Sequence, residues 1–250
     1  MFDRLKVSIR EQAFHPGFLG LLVNPFYFAR KGLHQHIVAL APSVRGRILD
    51  VGCGSKPYQQ YFEASEYIGL EIEGRNKDVD RYYDGKVFPF NDGEFDAVLT
   101  SEVLEHVFNP DAFLSEIHRV LRDGGILLLT VPFVWDEHEQ PFDYARYSSF
   151  GLRHLLESHG FEIIEHRKTM DDIRVICQMI NAYIYKKTVT GNGRLNLLLT
   201  VILMAPFNIV GELLAKMLPS NSDLYLDNIV LARSVRGNAC SNPLQWRDDQ

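Results

Sequence analysis

Two glycines two positions apart close an apolar run, Ile48-Leu49-Asp50-Val51-Gly52-Cys53-Gly54, in this chain of 250 residues. Such a GxG turn after a strand lets a ligand approach the backbone, because glycine has no Cβ in the way. A dinucleotide loop would need a further glycine where Pro57 stands, and Asp50 would repel a pyrophosphate, so NAD is disfavoured. The same carboxylate suits a ligand with an ammonium and a sulfonium and no phosphate. About twenty residues on, Glu71 ends the run YIGLE, where its carboxylate can accept from both hydroxyls of a ribose. Taken singly, a GxG turn or a strand-end glutamate is ordinary surface chemistry; the two at this spacing form a signal.

A second cluster lies in Trp135-Asp-Glu-His-Glu-Gln-Pro-Phe-Asp-Tyr-Ala-Arg-Tyr-Ser148. His138 is the candidate general base, since a neutral imidazole near pH 7 can take a proton; the alternative is a histidine that stabilises the loop. Arg146 and Tyr147 can orient an anionic or sugar-like acceptor, or Arg146 can pair with Asp143 to brace the loop. His106, in LEHV, is a second catalytic candidate or a structural hydrogen-bond partner. Tyr27 and Arg30 belong either to a lid over the ligand or to ordinary helix packing.

These residues need a scaffold, and from about Arg47 apolar runs of strand length alternate with helical patterns, the sign of a mostly parallel sheet covered by helices. Strands are expected at Arg47–Val51, Tyr67–Glu71, Val79–Tyr83, Phe95–Thr100, Ile126–Val131, Phe161–Lys168 and Leu224–Arg233, with a helical pattern directly after the GxG turn. In NPDAFLSEIHRVLRDGG, Asn109 caps, Pro110 takes the first helical position, and Phe113, Leu114, Ile117, Val120 and Leu121 share one face. Residues 1–44 read as a helical cap and 45–234 as the main domain, with a helical insertion at about 171–220. Residues 235–250 read as a frayed tail.

The segments LDVGCGSKPY, YIGLE, YYDGKVFPFNDGEFDAVLTSEVLEHV and LRDGGILLLTVPF resemble the successive motifs of class I S-adenosylmethionine-dependent methyltransferases. Within that superfamily the likeness is to the type-11 methyltransferase domain, over roughly Arg47 to Arg167. It implies a Rossmann-like α/β fold with seven strands, mostly parallel with an antiparallel last strand, and helices on both faces. It implies S-adenosylmethionine as cofactor. Asp50, Gly52, Cys53 and Gly54 would line its methionine and ribose, Glu71 would hold the ribose hydroxyls, and Asp84 with Gly85 would meet the adenine. Ser101 and Glu102 would border the methionine end. Glu71 stands where aspartate is more frequent, and Lys56-Pro57 where a small residue and glycine are common.

Methyl transfer from a sulfonium is an in-line displacement, so holding the acceptor close and aligned is the main task and no metal is required. The chain has no NPPY-type signature of amino-methylating enzymes, which favours an oxygen or carbon acceptor. The expected activity is methylation of a small, glycan or lipid-linked hydroxyl. The alternatives are carbon methylation of a quinone-like or lipid substrate, and a non-catalytic cofactor-binding scaffold. A net charge of −6 gives no general attraction to nucleic acid, and none is expected as partner. Three scattered cysteines without a CxxC pair, and a charged N-terminus, suggest a reducing, cytoplasmic setting. The apolar stretch 195–218 must be covered by the domain's core, a second copy in a homodimer, or a membrane surface flanked by Lys186, Lys187, Arg194 and Lys216.

Overall fold

Strands buried on both faces need cover from both sides, and the chain supplies it with alternating side chains. The computed structural model describes residues 11–74 and 79–237. Its seven strands are β1 (Gly46–Val51), β2 (Ala64–Ile72), β3 (Arg81–Tyr83), β4 (Phe95–Ser101), β5 (Leu121–Pro132), β6 (Phe161–Lys168) and β7 (Asp227–Ser234). They form one sheet in the order β3-β2-β1-β4-β5-β7-β6. β1 to β5 pair in parallel, and β7 runs antiparallel between β5 and β6.

The helices are α1 (Gly20–Val23), α2 (Tyr27–Leu40), α3 (Pro110–Val120), α4 (Ser149–Ser158), α5 (Arg174–Thr188), α6 (Gly193–Leu199) and α7 (Ala205–Leu214). Leu49, Val51, Val98, Leu127 and Leu129 point to one face of the sheet, onto Leu114 and Ile117 of α3 and Leu152 of α4. Ile48, Ala97, Leu99, Leu128 and Ile229 point to the other, onto Leu33, Ile37 and Leu40 of α2. This is the period-two alternation of a pleated strand. Asn109 caps α3 as the sequence indicates, its side chain accepting from the Ala112 N–H at 3.2 Å.

Several expectations change. α2, within the expected N-terminal helical cap, packs its Leu33-Ile37-Leu40 stripe directly on the sheet. No α-helix follows the GxG turn: only a 3-10 turn, Gln59–Tyr61, precedes β2. Gly54 and Lys56 both have positive φ, 50° and 54°, a left-handed backbone that cannot start a right-handed helix. β3 is shorter than expected and β5 longer, beginning at Leu121. Residues 235–237 continue from β7 as part of the fold, with the Val235 N–H donating to the Gly160 carbonyl, whereas the rest of the expected tail lies outside the described residues.

The insertion is a helical stretch from α6 through a π-helical turn, Thr200–Met204, into α7, where Pro206 lies in the first turn. A proline has no N–H to give the preceding turn, and there its absence costs little. Buried amides tie this stretch down. Asn208 of α7 accepts from Asn181 Nδ2 of α5 at 2.9 Å and donates to the carbonyls of Leu21 and Asn24 at 3.0 and 3.1 Å. Gln178 of α5 accepts from the Phe28 N–H and donates to the Pro25 carbonyl, each at 3.0 Å. Asn208→Ala leaves those buried partners unsatisfied, so denaturant unfolding should show a loss of about 1–3 kcal/mol; an unchanged midpoint contradicts this role for the amide.

Candidate active site

The order of the parallel strands diverges between β1 and β4, and a crevice opens there at their carboxyl ends, where open α/β sheets bind ligands. β1 delivers Asp50 and then the glycines. Gly52 has φ +70°, and a Cβ on it would lie 2.4 Å from Val103 Cγ2. Gly54 has φ +50°, and its missing Cβ faces open space, with nothing within 4 Å. β2 delivers Glu71, whose carboxylate accepts from the Gly54 N–H at 3.4 Å and the Ile72 N–H at 3.0 Å. The acidic side chain and the glycine turn are therefore brought together.

Asp50 is buried and accepts from the Tyr67 hydroxyl at 2.7 Å. Burial pushes its carboxyl up to about 7, against the lowering effects of the Tyr67 hydrogen bond and the charge of Lys56. Lys56 is itself ion-paired with Asp80. Burial, then the negative charges of Asp50 and Glu71, push the Cys53 thiol up to about 12, so it stays protonated.

Three cavities meet at Glu102. A narrow one of about 120 Å3 is lined by Asp50, Cys53, Gly54, Ser101 and Glu102 and closed by Arg30 and Tyr58. One of about 550 Å3 runs past Gly54, Glu71, Ile72, Tyr83 and Val103. The third, about 420 Å3, is walled by the rings of Phe26, Trp135 and Tyr185 and by Arg30, Asp136 and His138. Glu102 borders all three, at φ +56°, a left-handed conformation that is strained for a residue with a side chain. Its carboxyl group accepts from Thr130 Oγ1 at 2.8 Å, and burial raises its pKa.

The expected acceptor residues divide. His138 lines the third cavity, and His106 stands between the second and third, their ring centroids 4.7 Å apart. The Asp143 carboxylate accepts from the His138 N–H at 2.9 Å and lies 3.3 Å from its Nδ1. Desolvation, followed by the neighbouring His106, lowers the His138 pKa and keeps its imidazole neutral. Of the two roles expected of Arg146, the structure shows the brace: it grips Asp143 at 2.5 and 2.7 Å and donates to the carbonyls of Trp135, Asp136 and Ala145. Tyr147 packs against the core. Tyr27 is likewise a core residue, packed with Phe28 and Leu226, because the α2 stripe turns it inward and presents Arg30 instead. Asp84 is spent on its own turn, accepting from the N–H groups of Lys86 and Val87. Neither Asp84 nor Gly85 lines the two cavities over β1, where Tyr83 and Ile72 occupy that end. The aromatic wall escaped the sequence reading because Phe26, Trp135 and Tyr185 come from three distant segments with no shared spacing.

The doubly wound sheet and the acidic GxG crevice at its switch point match the architecture that the resemblance to class I S-adenosylmethionine-dependent methyltransferases implies. The chain belongs to the Methyltransf_23 family, described as a methyltransferase domain, whose model matches residues 26–166. It is 30% identical over 163 residues to a probable S-adenosylmethionine-dependent methyltransferase of Mycolicibacterium smegmatis, covering 58% of this chain and 62% of that one. It is 36% identical over 111 residues to a fatty-acid O-methyltransferase of the same organism, covering 38% and 40%. The chain thus spans less than two thirds of the length of these curated relatives.

Among solved structures, the [4+2]-cyclase SpnF aligns with TM-score 0.55 and 23% identity, covering 84% of this chain and 83% of that one. A phosphoethanolamine N-methyltransferase of Haemonchus contortus, in complex with S-adenosyl-L-methionine, aligns with TM-score 0.52 and 17% identity, covering 92% and 57%. Both show the shared fold.

The residues present fit that cofactor: Gly54 leaves room at the backbone, Asp50 offers a buried carboxyl suited to an ammonium, and Glu71 brings a carboxylate suited to ribose hydroxyls to the same cavity. When bound, S-adenosylmethionine supplies an electrophilic methyl group on a sulfonium.

Asp50 gives a pH signature. Its native pKa is raised, so the cofactor-free protein binds an extra proton below about pH 7 and loses stability as pH rises from the unfolded carboxylate value toward 7. A cationic ligand favours the ionised form, so affinity for S-adenosylmethionine should rise between about pH 5.5 and 7, by up to roughly tenfold per unit, with proton release. In Asp50→Asn, calorimetry should find weaker binding without that slope; a wild-type affinity flat in pH refutes the assignment.

Proposed function

We propose that this methyltransferase methylates a hydroxyl oxygen on a glycan-type acceptor that is carried by a lipid. The observation that carries the reading is the third cavity, where aromatic walls meet Arg30, Asp136, Lys186 and Asp227 beside Glu102. Aromatic faces suit the apolar faces of sugar rings, and paired charges suit their hydroxyls. His106 and His138 line that cavity, where the acceptor hydroxyl gives up its proton. The likeness to a fatty-acid O-methyltransferase supports an oxygen acceptor attached to a lipid.

A lipid carrier also accounts for the insertion. The helical stretch Gly193–Leu214 has mean hydropathy 2.1 over its most apolar window, of which 28% is buried. The domain's own core therefore covers one face only. Leu198, Ile202, Val210 and Leu213 are exposed on the other, with Met217 and Leu218 beyond. Asn208, Gly211 and the Glu212–Lys31 ion pair at 2.5 Å hold the inner face against the protein, so the helix lies along a surface rather than crossing a bilayer. Lys187, Arg194 and Lys216 provide the positive charge that an anionic membrane attracts. α5 carries Tyr185 and Lys186 of the cavity and packs directly on α7, which supports an acceptor entering from beside this face.

Two measurements test the proposal. The protein should sediment with anionic phospholipid vesicles and Leu198→Glu/Ile202→Glu should stay in the supernatant, while S-adenosylmethionine binding is unchanged. A monomer–dimer equilibrium abolished by the same substitutions, without vesicle binding, assigns the face to a second copy and overturns the membrane reading. With radiolabelled cofactor and lipid-linked glycans, label should appear as a methyl ether, and His138→Ala should lower turnover by about 100-fold. Label on carbon or nitrogen, or none across such acceptors, refutes the hydroxyl assignment.

A further inference from the structure

Glu105 is the least explained side chain in the protein. It is fully buried, and apart from its own backbone amide neither carboxylate oxygen has a hydrogen-bond donor among the described residues. A buried carboxylate without donors is costly to keep and calls for a positive partner. Arg146, the nearest cation in electrostatic terms, is already held by Asp143. What stands beside Glu105 is imidazole: His106 Nε2 lies 3.7 Å from its Oε1, and one donor atom each from Glu105, His106 and His138 fall within 4.8 Å of one another.

The ring of His106 presents Nε2 to this carboxylate, and the Nδ1 atoms of both rings are held by groups behind them. His106 Nδ1 is 2.8 Å from the Phe142 carbonyl, which accepts its proton and leaves Nε2 as the free donor atom. His138 Nδ1 is 3.3 Å from both the Asp136 carbonyl and the Asp143 carboxylate, with only Arg146 Nη2, at 3.4 Å, as a competing donor. Two acceptors against one donor at similar distance favour the proton on Nδ1, which leaves Nε2 of His138 as its ligand atom. A carbonyl or carboxylate behind each ring is the support that metal-ligating histidines ordinarily have.

We propose that Glu105, His106 and His138 bind a first-row divalent metal ion at the junction of the cofactor and acceptor cavities. Two neutral imidazoles and a carboxylate make a borderline donor set with open coordination positions, the pattern of catalytic rather than structural sites. Metal–ligand bonds of about 2.0–2.2 Å bring donors to roughly 3.3 Å apart, so small rotations of the half-buried rings complete the set. The open positions face the third cavity, which His106 and His138 line, so the exchangeable ligand is an acceptor hydroxyl. That last step rests on the proposed hydroxyl acceptor; the metal site itself does not, and it departs from the expectation that methyl transfer here needs no metal.

The test measures metal binding without acceptor. Metal-stripped protein is titrated with Zn2+, Mn2+ and Co2+ by calorimetry, and with Co2+ by visible absorption, in which ligand-field bands report nitrogen and oxygen donors. At least one ion should bind at one equivalent with micromolar or tighter affinity. Glu105→Gln, His106→Ala and His138→Ala should each weaken it 10-fold to 100-fold or more, while an exposed-surface control, His154→Ala, leaves it unchanged. S-adenosylmethionine binding, measured on each variant, shows that the crevice remains folded. The proposal is overturned if no ion binds stoichiometrically, or if the three variants bind as the wild type does. Metal binding without methyl transfer to glycans would sustain this site and reject the acceptor reading; transfer without metal binding would do the reverse.

Discussion

Four carboxyl groups crowd the carboxyl edge of one sheet, those of Asp50, Glu105 and Asp227 buried and that of Glu102 partly buried, and the site is organised around the desolvation of that acid. Each has its pKa raised, with burial as the first cause. The surrounding chain answers in distinct ways. Asp50 receives the Tyr67 hydroxyl, Glu102 the Thr130 hydroxyl, and Asp227 the Thr169 hydroxyl. Arg30 reaches in from α2, lining two of the cavities and easing the charge on Glu102 and Asp227. Only Glu105 is left without such an answer, and it is the one flanked by imidazoles.

This constraint ties the N-terminal helix to the chemistry. Arg30 can serve the site only if α2 is held in place, and that is the work of buried amides as much as of apolar packing. Gln178 fixes the start of α2 to α5, and Asn208 fixes the segment before it to α7. The same α7 whose inner face is held this way carries an unpartnered apolar outer face. The GxG crevice, the aromatic-walled cavity and the exposed helix are consequently neighbours through one set of contacts, α2 to α5 to α7.

The loop after β5 shows how a single ion pair organises several functions. Arg146 spends its guanidinium on Asp143 and on three backbone carbonyls, which shapes the Trp135–Arg146 segment into a wall. Asp143 in turn orients His138, through its N–H and beside its Nδ1. The guanidinium of Arg146 is thereby engaged within the loop, and through Asp143 it supports the ring of His138.

Local pattern was enough to read the sheet and the cofactor crevice, because both rest on short-range physics. Continuous apolar runs become central strands, Asn109 and Pro110 start a helix, and Asp50, Gly52, Gly54 and Glu71 lie within one βαβ-like span of chain. Where local conformation departed from the pattern, as in the missing helix after Gly54, the cause was also local: left-handed backbone at Gly54 and Lys56. The acceptor side was different. Tyr27 and Arg30 are one turn apart on a helix, and nothing in their spacing says which turns inward; packing on Leu226 decided it. Phe26, Trp135 and Tyr185, or Glu105, His106 and His138, meet only because separate loops converge over the sheet edge. Burial and long-range contact belong to the folded chain as a whole, so only the tertiary structure could settle them.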